Sequence, residues 1–369
     1  YLVWGKFLQA ETSALAYLFE RHADGDARTL PNPDGDTVRK RLERLCLEHK
    51  GCMTVKDLPR EIPSRHVRRG IDASRISCRA FSGFIDKSWG ISSFSSMVLG
   101  SPHAAGAADR DFLYASPADV HDGEGQGVRD IFRFPRGARA GIMLHAIFES
   151  LDFQAGDSDI AELAARMLKL HGFESDWAGV IADMVKKVLS APLDGTPLSS
   201  VRSDAAVREL EFYLPVKRLS KQMLQDIFRG CGSDAVPESF PGMMEDLRFD
   251  ETTGFLKGFI DLVFRSGGKY YLLDWKSNHL GDGIEHYSLD AMMEAMVKNY
   301  YILQYHLYTT ALHRYLQSRL KGYSYKRHFG GIIYVFLRGV DPAQGREYGI
   351  YHRVPEQEII AALNERLAH

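Results

Sequence analysis

The sequence predicts an α/β fold, a central sheet flanked by helices. Three observations lead there. From about residue 130 onward, helical and strand periodicities alternate along the chain. Two strand-like runs flank Gly267-Gly268, which marks a hairpin in the second half. Apolar residues make up 45% of 369, enough to bury a sizeable core.

Taken in order, residues 1–26 read as a strand, a turn and an amphipathic helix with Leu15, Leu18 and Phe19 on one side. Residues 31–36 (PNPDGD) are a loop by composition, and a charged helix follows from Val38 to His49. Residues 56–90 are mixed and basic; Arg65, Arg68, Arg69, Arg75 and Arg79 suit a solvated face, a neighbouring chain or DNA. Ser92 to Ser96 looks like a helix start. Residues 100–128, rich in Gly, Ala and Asp, read as a loop or linker. Helices are expected at 140–153, 158–171 and 175–190, and strands at 208–216, 254–265 and 269–276. A helix over 288–320, broken near its middle, a buried strand at 331–337 (GIIYVFL) and a final helix at 355–367 complete the pattern.

The formal net charge of −2 argues against a passive DNA-coating protein, which would be basic. It leaves a nuclease open, because metal-holding carboxylates offset phosphate-holding cations. Cys46, Cys52, Cys78 and Cys231 form no C-x-x-C pair and have no His at zinc spacing, so they read as free thiols in a reducing cytoplasm. No apolar run approaches the ~20 residues of a membrane span, and no membrane partner is expected. The start at Tyr1, within what looks like a strand already under way, suggests an excised piece of a longer protein. The absence of G-x-x-x-x-G-K-[ST] leaves no ATP site.

The chemistry concentrates between Gly258 and Asn278. A Gly-Gly turn suits type I′, because both central residues need positive φ. Counting back from it, Ser266 faces Lys269, Arg265 faces Tyr270 and Asp261 faces Asp274. Opposed residues point to one face, and alternation puts Lys276 on the face of Asp274. Asp261, Asp274 and Lys276 are therefore expected to converge. Two carboxylates opposed in an apolar sheet repel and lose hydration. A divalent cation relieves both problems, and Mg²⁺ accepts a few carboxylates while keeping waters. An Asp pair at a solvated sheet edge, held by Lys276, is the structural alternative.

Asp, a hairpin, then Asp-x-Lys resembles the signature of the PD-(D/E)XK nuclease superfamily, and within it the nuclease domains of RecB-type helicase-nuclease subunits. Phe134-Pro135-Arg136-Gly137-Ala138 followed by Gly141 to Glu149 (GIMLHAIFE) is similar to the helix supplying a metal-binding His. Gly258 to Phe264 and Leu273 to Asn278 resemble the two active-site strands, with Trp275 where the familiar motif has Tyr. Leu303 to Tyr308 resembles the family's Q-x-x-x-Y element. The nuclease resemblance covers roughly 90–369, and residues 1–19 resemble the end of a preceding helicase domain. The resemblance implies a restriction-endonuclease-like mixed sheet, with 1–88 a helicase remnant and tether and 89–369 the nuclease domain. It implies Mg²⁺, or Mn²⁺, held by His145, Asp261, Asp274 and the Trp275 carbonyl, with DNA as substrate. Lys276 would position or deprotonate water, or stabilise charge on phosphate. RecC-like and RecD-like partners are implied for the intact complex.

Gln304 and Tyr308, four apart on one helix, suit orienting Lys276 or a phosphate; helix packing is the plainer alternative. Glu149 shares the helix face of His145 and reads as supporting or structural. Glu209 and Glu211 alternate on the strand before the hairpin and suit either the metals or solvent. An iron–sulfur cluster, carried by some relatives, needs a Cys triplet beyond the Gln-Tyr helix; no Cys follows Cys231, so none is expected. The rival readings are a catalytically silent scaffold or DNA clamp of the same fold, which typically loses an Asp or the Lys, and a hydrolase of small phosphorylated substrates, which needs a closed pocket.

Overall fold

In a computed structural model, the described residues are 35–48, 54–57, 83, 89–98, 129–230, 236–345 and 347–368. The expectations for 1–26 and 100–128, and for Arg65, Arg68, Arg69, Arg75 and Arg79, lie outside them. The chain divides into two compact units, Tyr1–Gly83 and Phe84–His369. In the first, α1 (Gly35–Glu48) is laced by exposed i,i+4 pairs, Arg39–Glu43 at 2.9 Å and Arg44–Glu48 at 3.2 Å.

The second unit is a mixed six-stranded sheet between two helical layers. Its described elements begin with β1 (Trp89–Ser93) and α2 (Phe94–Val98). Ser93, the residue before α2, accepts the Ser96 N–H on its hydroxyl at 3.2 Å. The helix start expected within Ser92 to Ser96 falls at Phe94, with Ser92 and Ser93 closing the strand before it. Next come α3 (Ala138–Ser150), α4 (Asp157–Leu170), α5 (Ala178–Ser190), β2 (Ala206–Leu219), α6 (Lys221–Gly230) and α7 (Phe240–Met243). Then follow β3 (Thr252–Ser266), β4 (Lys269–Lys276), α8 (Leu289–Lys298), α9 (Tyr301–Arg319) and α10 (Tyr325–His328). The chain closes with β5 (Phe329–Phe336), β6 (Ile350–Arg353) and α11 (Gln357–Ala368).

The break expected in the long helix falls between α8 and α9, where Tyr300 takes a left-handed φ of 56°. The sheet order is β1-β3-β4-β5-β6, with β2 on the other edge of β3. Gly267 and Gly268 have φ of 56° and 80°, as a type I′ turn requires. The ladder runs from Ser266–Lys269 to Leu262–Leu273, the expected register, and ends one pair short of Asp261–Asp274.

One sheet face carries Ile260, Val263, Leu272, Ile332 and Tyr334 into a core shared with α6, α8, α9 and α11. The opposite face carries Leu262, Phe264, Leu273, Trp275 and Ile333 into a core shared with α3, α4 and α5. Every residue of β5 is buried, as befits a strand with helices on both faces.

The long strand β3 creates the feature that positions the site. Along one edge β2 accompanies it nearly throughout. Along the other, β1 pairs in parallel with 253–257 and β4 antiparallel with 262–266. Among the described residues, 258–261 have no strand partner on that edge. Beyond Leu273, β4 leaves β3 and continues along β5 through Asp274, Trp275 and Lys276. The two strands thus fork, with Asp261 at the fork's margin.

Candidate active site

Three elements bring side chains to the fork. From β3, Asp261 accepts the Trp275 backbone N–H on Oδ2 at 2.7 Å. A ladder N–H lies in the plane of the sheet, so the carboxylate that receives it reaches between the strands. From α3, His145 sets Nδ1 3.5 Å from the same oxygen, with its side chain 1% exposed and that of Asp261 10% exposed. Gly141, Met143, Leu144, Ile147 and Phe148 bury the helix around His145. Phe148 stacks on Trp275 at 4.2 Å, so the indole at the family's Tyr position ties α3 to β4.

From β4, Lys276 Nζ lies 2.6 Å from Asp274 Oδ1, and both side chains are buried. The same ammonium donates to Gln304 Oε1 at 3.2 Å and sits 3.8 Å from the centre of the Tyr301 ring. Gln304 Oε1 also accepts the Tyr334 hydroxyl at 2.9 Å. Tyr301 in turn donates to Asn278 Oδ1 at 3.1 Å. Lys276 is therefore held in one place by a carboxylate, an amide and aromatic faces.

Strict alternation from the turn would set Asp261 on the face of Asp274. The structure departs from this by one step. Ile260 packs into the α9-side core and Leu262 into the α3-side core, so the pleat slips around Asp261. On the other edge of β3, Glu209 falls opposite Asp261 between the pairs Arg208–Leu262 and Leu210–Ile260, and takes a φ of 49°. Positive φ is rare and costly for a residue with a Cβ. The slip leaves Asp261 in the fork, with His145 on the α3 side and the Lys276 charge also acting on it. Burial alone would raise the Asp261 pKa; the His145 charge and hydrogen bond, the Trp275 N–H and Lys276 together hold it below the usual carboxylate value.

Of the residues singled out from sequence, the structure gathers His145, Asp261 and Trp275 on one side of the fork and Asp274, Lys276 and Gln304 on the other. Tyr308, one turn after Gln304, instead packs edge-on against Phe212 at 5.1 Å. Both rings crowd Gly258, where an added Cβ would lie 2.6 Å from Phe212 and 3.1 Å from Tyr308. Glu149 is exposed at the end of α3. Glu211 accepts from Tyr213 at 3.0 Å and pairs with Lys257 at 2.8 Å, away from the fork.

Sequence reasoning passed over Arg338, just after β5. It is 2% exposed and donates to the carbonyls of Ile131, Phe134 and Pro135 at 2.7–2.8 Å, and to Ser277 O at 3.3 Å. It joins the segment leading into α3 to the end of β4. Burial pushes its pKa down to about 10. Its one sequence signal was an Arg directly after an apolar strand.

Among the described residues, no three of His, Cys, Asp and Glu are already gathered around one point as metal ligands. The donor chemistry nevertheless suits a divalent cation. The buried Asp274 and the largely covered Asp261 share the fork with one buried ammonium and an imidazole, so a cation would offset negative charge in a site shielded from water.

The profile of the PD-(D/E)XK nuclease superfamily matches residues 123–368. Over 240 residues, 64% of this chain and 20% of the relative, the sequence is 45% identical to the RecBCD enzyme subunit RecB of Escherichia coli. RecB of Haemophilus influenzae is 30% identical over 306 residues, covering 77% of this chain and 24% of that protein. RecB of Mycobacterium tuberculosis is 30% identical over 328 residues, covering 78% and 29%. The chain thus spans less than a third of the length of these relatives. With that profile covering more than half of the chain, and a mixed sheet that forks at Asp-x-Lys, the chain belongs to the PD-(D/E)XK nuclease superfamily.

Proposed function

We propose that this chain is the nuclease domain of a RecBCD-type helicase-nuclease and hydrolyses DNA phosphodiester bonds with Mg²⁺, or Mn²⁺. The observation that carries the reading is the fork itself. Asp261, anchored on the Trp275 N–H beside His145, adjoins the Asp274–Lys276 pair.

His145, Asp261, Asp274 and the Trp275 carbonyl would hold the cation. A strand residue's N–H and C=O point to the same edge, so the Trp275 carbonyl faces the edge from which Asp261 takes its N–H. Bound there, the cation would polarise a phosphate oxygen and acidify a water. The Trp275 N–H and the Lys276 charge favour the ionised form of Asp261 that a ligand needs, and His145 would bind the cation as a neutral imidazole. Lys276 brings a positive charge locked by Gln304 and Asp274, ready to orient water or stabilise charge building on phosphate. Releasing it from Asp274 toward substrate requires that the carboxylate turn to the cation. The scaffold reading is disfavoured because Asp261, Asp274 and Lys276 are all retained.

The domain assignment belongs to the same proposal: 1–88 a helicase remnant and tether, 89–369 the nuclease. DNA as substrate, the RecC-like and RecD-like partners and a bacterial cytoplasmic location follow by similarity to RecB. Among the described residues, no helix is long and apolar enough to cross a membrane. Cleavage of an end-labelled single strand, with Mg²⁺ and with chelator, tests the reading. Metal-dependent cleavage abolished by Asp274→Ala is expected. A chain that binds DNA but never cleaves it, with either cation, would return the reading to a scaffold.

A further inference from the structure

The helices α3–α5 do not cover the whole of their sheet face. Among the described residues, no helix packs on that face where β1, β2 and the first half of β3 run together. Trp89 is 61% exposed, Tyr213 48% and Phe259 36%. The register makes them neighbours: Ile91 lies beside Phe255, Tyr213 beside Lys257 and Glu211 beside Phe259. Phe255 meets Trp89 and Tyr213 edge-on, each at 6.3 Å. Lys257, paired with Glu211 at 2.8 Å, sets its ammonium 5.3 Å from the Tyr213 ring and 5.0 Å from that of Phe259. Lys217 is exposed near the far end, where its carbonyl accepts Thr253 Oγ1 at 3.0 Å.

Scattered exposed apolar residues are ordinary, whereas a contiguous aromatic row is not. This row has a direction. Phe255, Lys257 and Phe259 alternate along β3 away from the buried Leu256 and Ile260, and the next residue in that alternation is Asp261. From Phe255 to Asp261 the strand covers roughly 20 Å at ~3.3 Å per residue. Exposed rings set beside the Lys257 and Lys217 ammonium groups match a single nucleic-acid strand, whose bases stack on aromatics while its phosphates meet cations. A duplex offers no such contact, since its bases already stack on one another.

We propose that the face bearing Trp89, Tyr213, Phe255, Lys257 and Phe259 is a single-strand DNA track that delivers the strand to Asp261. The proposal rests on the nuclease reading for its direction, but its test measures binding alone. The full chain, with Ca²⁺ in place of Mg²⁺ to allow binding without turnover, is titrated into labelled oligothymidylate and into a duplex of equal length, read by anisotropy. Trp89→Ala and Phe259→Ala should each weaken single-strand binding on the order of fivefold or more. Trp89→Phe should recover most of the loss, and duplex binding should change little. Tyr315→Ala, an equally exposed ring (48%) on α9, is the control and should bind as the parent does.

Unchanged single-strand affinity in the Trp89→Ala/Phe259→Ala double variant overturns the proposal, as does an equal loss on the duplex or no single-strand binding by the parent. If light scattering shows that the double variant loses self-association while keeping DNA affinity, the face is a protein interface and the track is wrong. A parent that binds single strands through these rings yet never cleaves them defeats the nuclease reading and leaves the track standing.

Discussion

Asp261 Oδ2 and the Trp275 backbone N–H meet at 2.7 Å, one residue past Leu262 and two past Leu273, the last ladder pair between their strands. A side chain thereby takes the place of a strand at the fork. That bond makes two substitutions of Asp261 distinguishable. Asp261→Asn keeps an oxygen for the Trp275 N–H and loses the charge. Cleavage should fall on the order of 10²-fold or more, with thermal stability close to parental. Asp261→Ala should lose cleavage equally and also melt lower, because the buried N–H loses its acceptor at a cost of roughly 1–3 kcal/mol. Parental cleavage by Asp261→Asn would remove Asp261 from the mechanism.

Lys276→Ala should lower single-turnover cleavage of a single strand by about 10²–10³-fold while calorimetry shows divalent-metal binding largely intact. Asp274→Ala should lose both. Because Lys276 and Asp274 are buried together at 2.6 Å, Lys276→Ala also strands a carboxylate in the core. Such a loss costs roughly 3–5 kcal/mol. Mg²⁺ or Mn²⁺ should therefore raise the melting temperature of Lys276→Ala more than that of the parent. An equal rise in both proteins would separate Asp274 from the metal.

His306 supplies a pH dependence independent of the fork. It is fully buried in α9, with Nδ1 2.7 Å from Ile302 O, and burial lowers its pKa from 6.5 to about 4. Between those values the unfolded chain holds the proton more tightly, so stability falls as pH drops through 6.5 toward 4. The full difference amounts to about 3 kcal/mol. Urea unfolding at pH 7.5 and pH 5 should show a smaller difference for His306→Gln than for the parent. Equal differences would mean that His306 is not the group responsible.

Arg338→Met removes the donors shared by four backbone carbonyls. Hydrogen bonds from a charged donor contribute roughly 1.5–3 kcal/mol each, so a loss of at least ~3 kcal/mol in stability is expected. Arg338→Lys should recover only part, since one ammonium lacks the planar fork of a guanidinium. A stability equal to the parent's in Arg338→Met would show that water replaces the clamp.

A protein beginning at Lys87 should be soluble and melt in one cooperative step, because it keeps β1 and α2. One beginning at Arg129 should melt lower or aggregate. It loses β1 from the edge of β3 and the buried Phe94, Met97 and Val98 from the α9-side core. Aggregation of the protein that begins at Lys87 would show that earlier residues cover part of the core.

Much of the frame was legible from local pattern. The Gly267-Gly268 turn dictates the hairpin register because two positive-φ residues admit few turn types, and the ladder follows that register. The helices α3, α4 and α5 and the strands β2 to β5 follow from periodicity within a few residues at each end. The amphipathic α6 and the short β6 were not anticipated. At four residues, β6 is too brief for alternation to stand out, and it exists because β5 offers it an edge.

Local pattern singled out Asp261, Asp274 and Lys276 as candidates through the hairpin register, and resemblance added His145, Gln304 and Tyr308. Tertiary structure decided where those groups stand. Local alternation would put both carboxylates on one face, but the β3–β4 ladder stops at Leu262–Leu273 and no pairing beyond it keeps the pleats in phase. Helix α3 then brings His145 from one side of the sheet and α9 brings Gln304 from the other. Arg338 joins segments about two hundred positions apart in the chain, a partnership that no local pattern encodes. Which face of β3 stays open to solvent likewise depends on where the helices end, and that is a property of packing between distant segments.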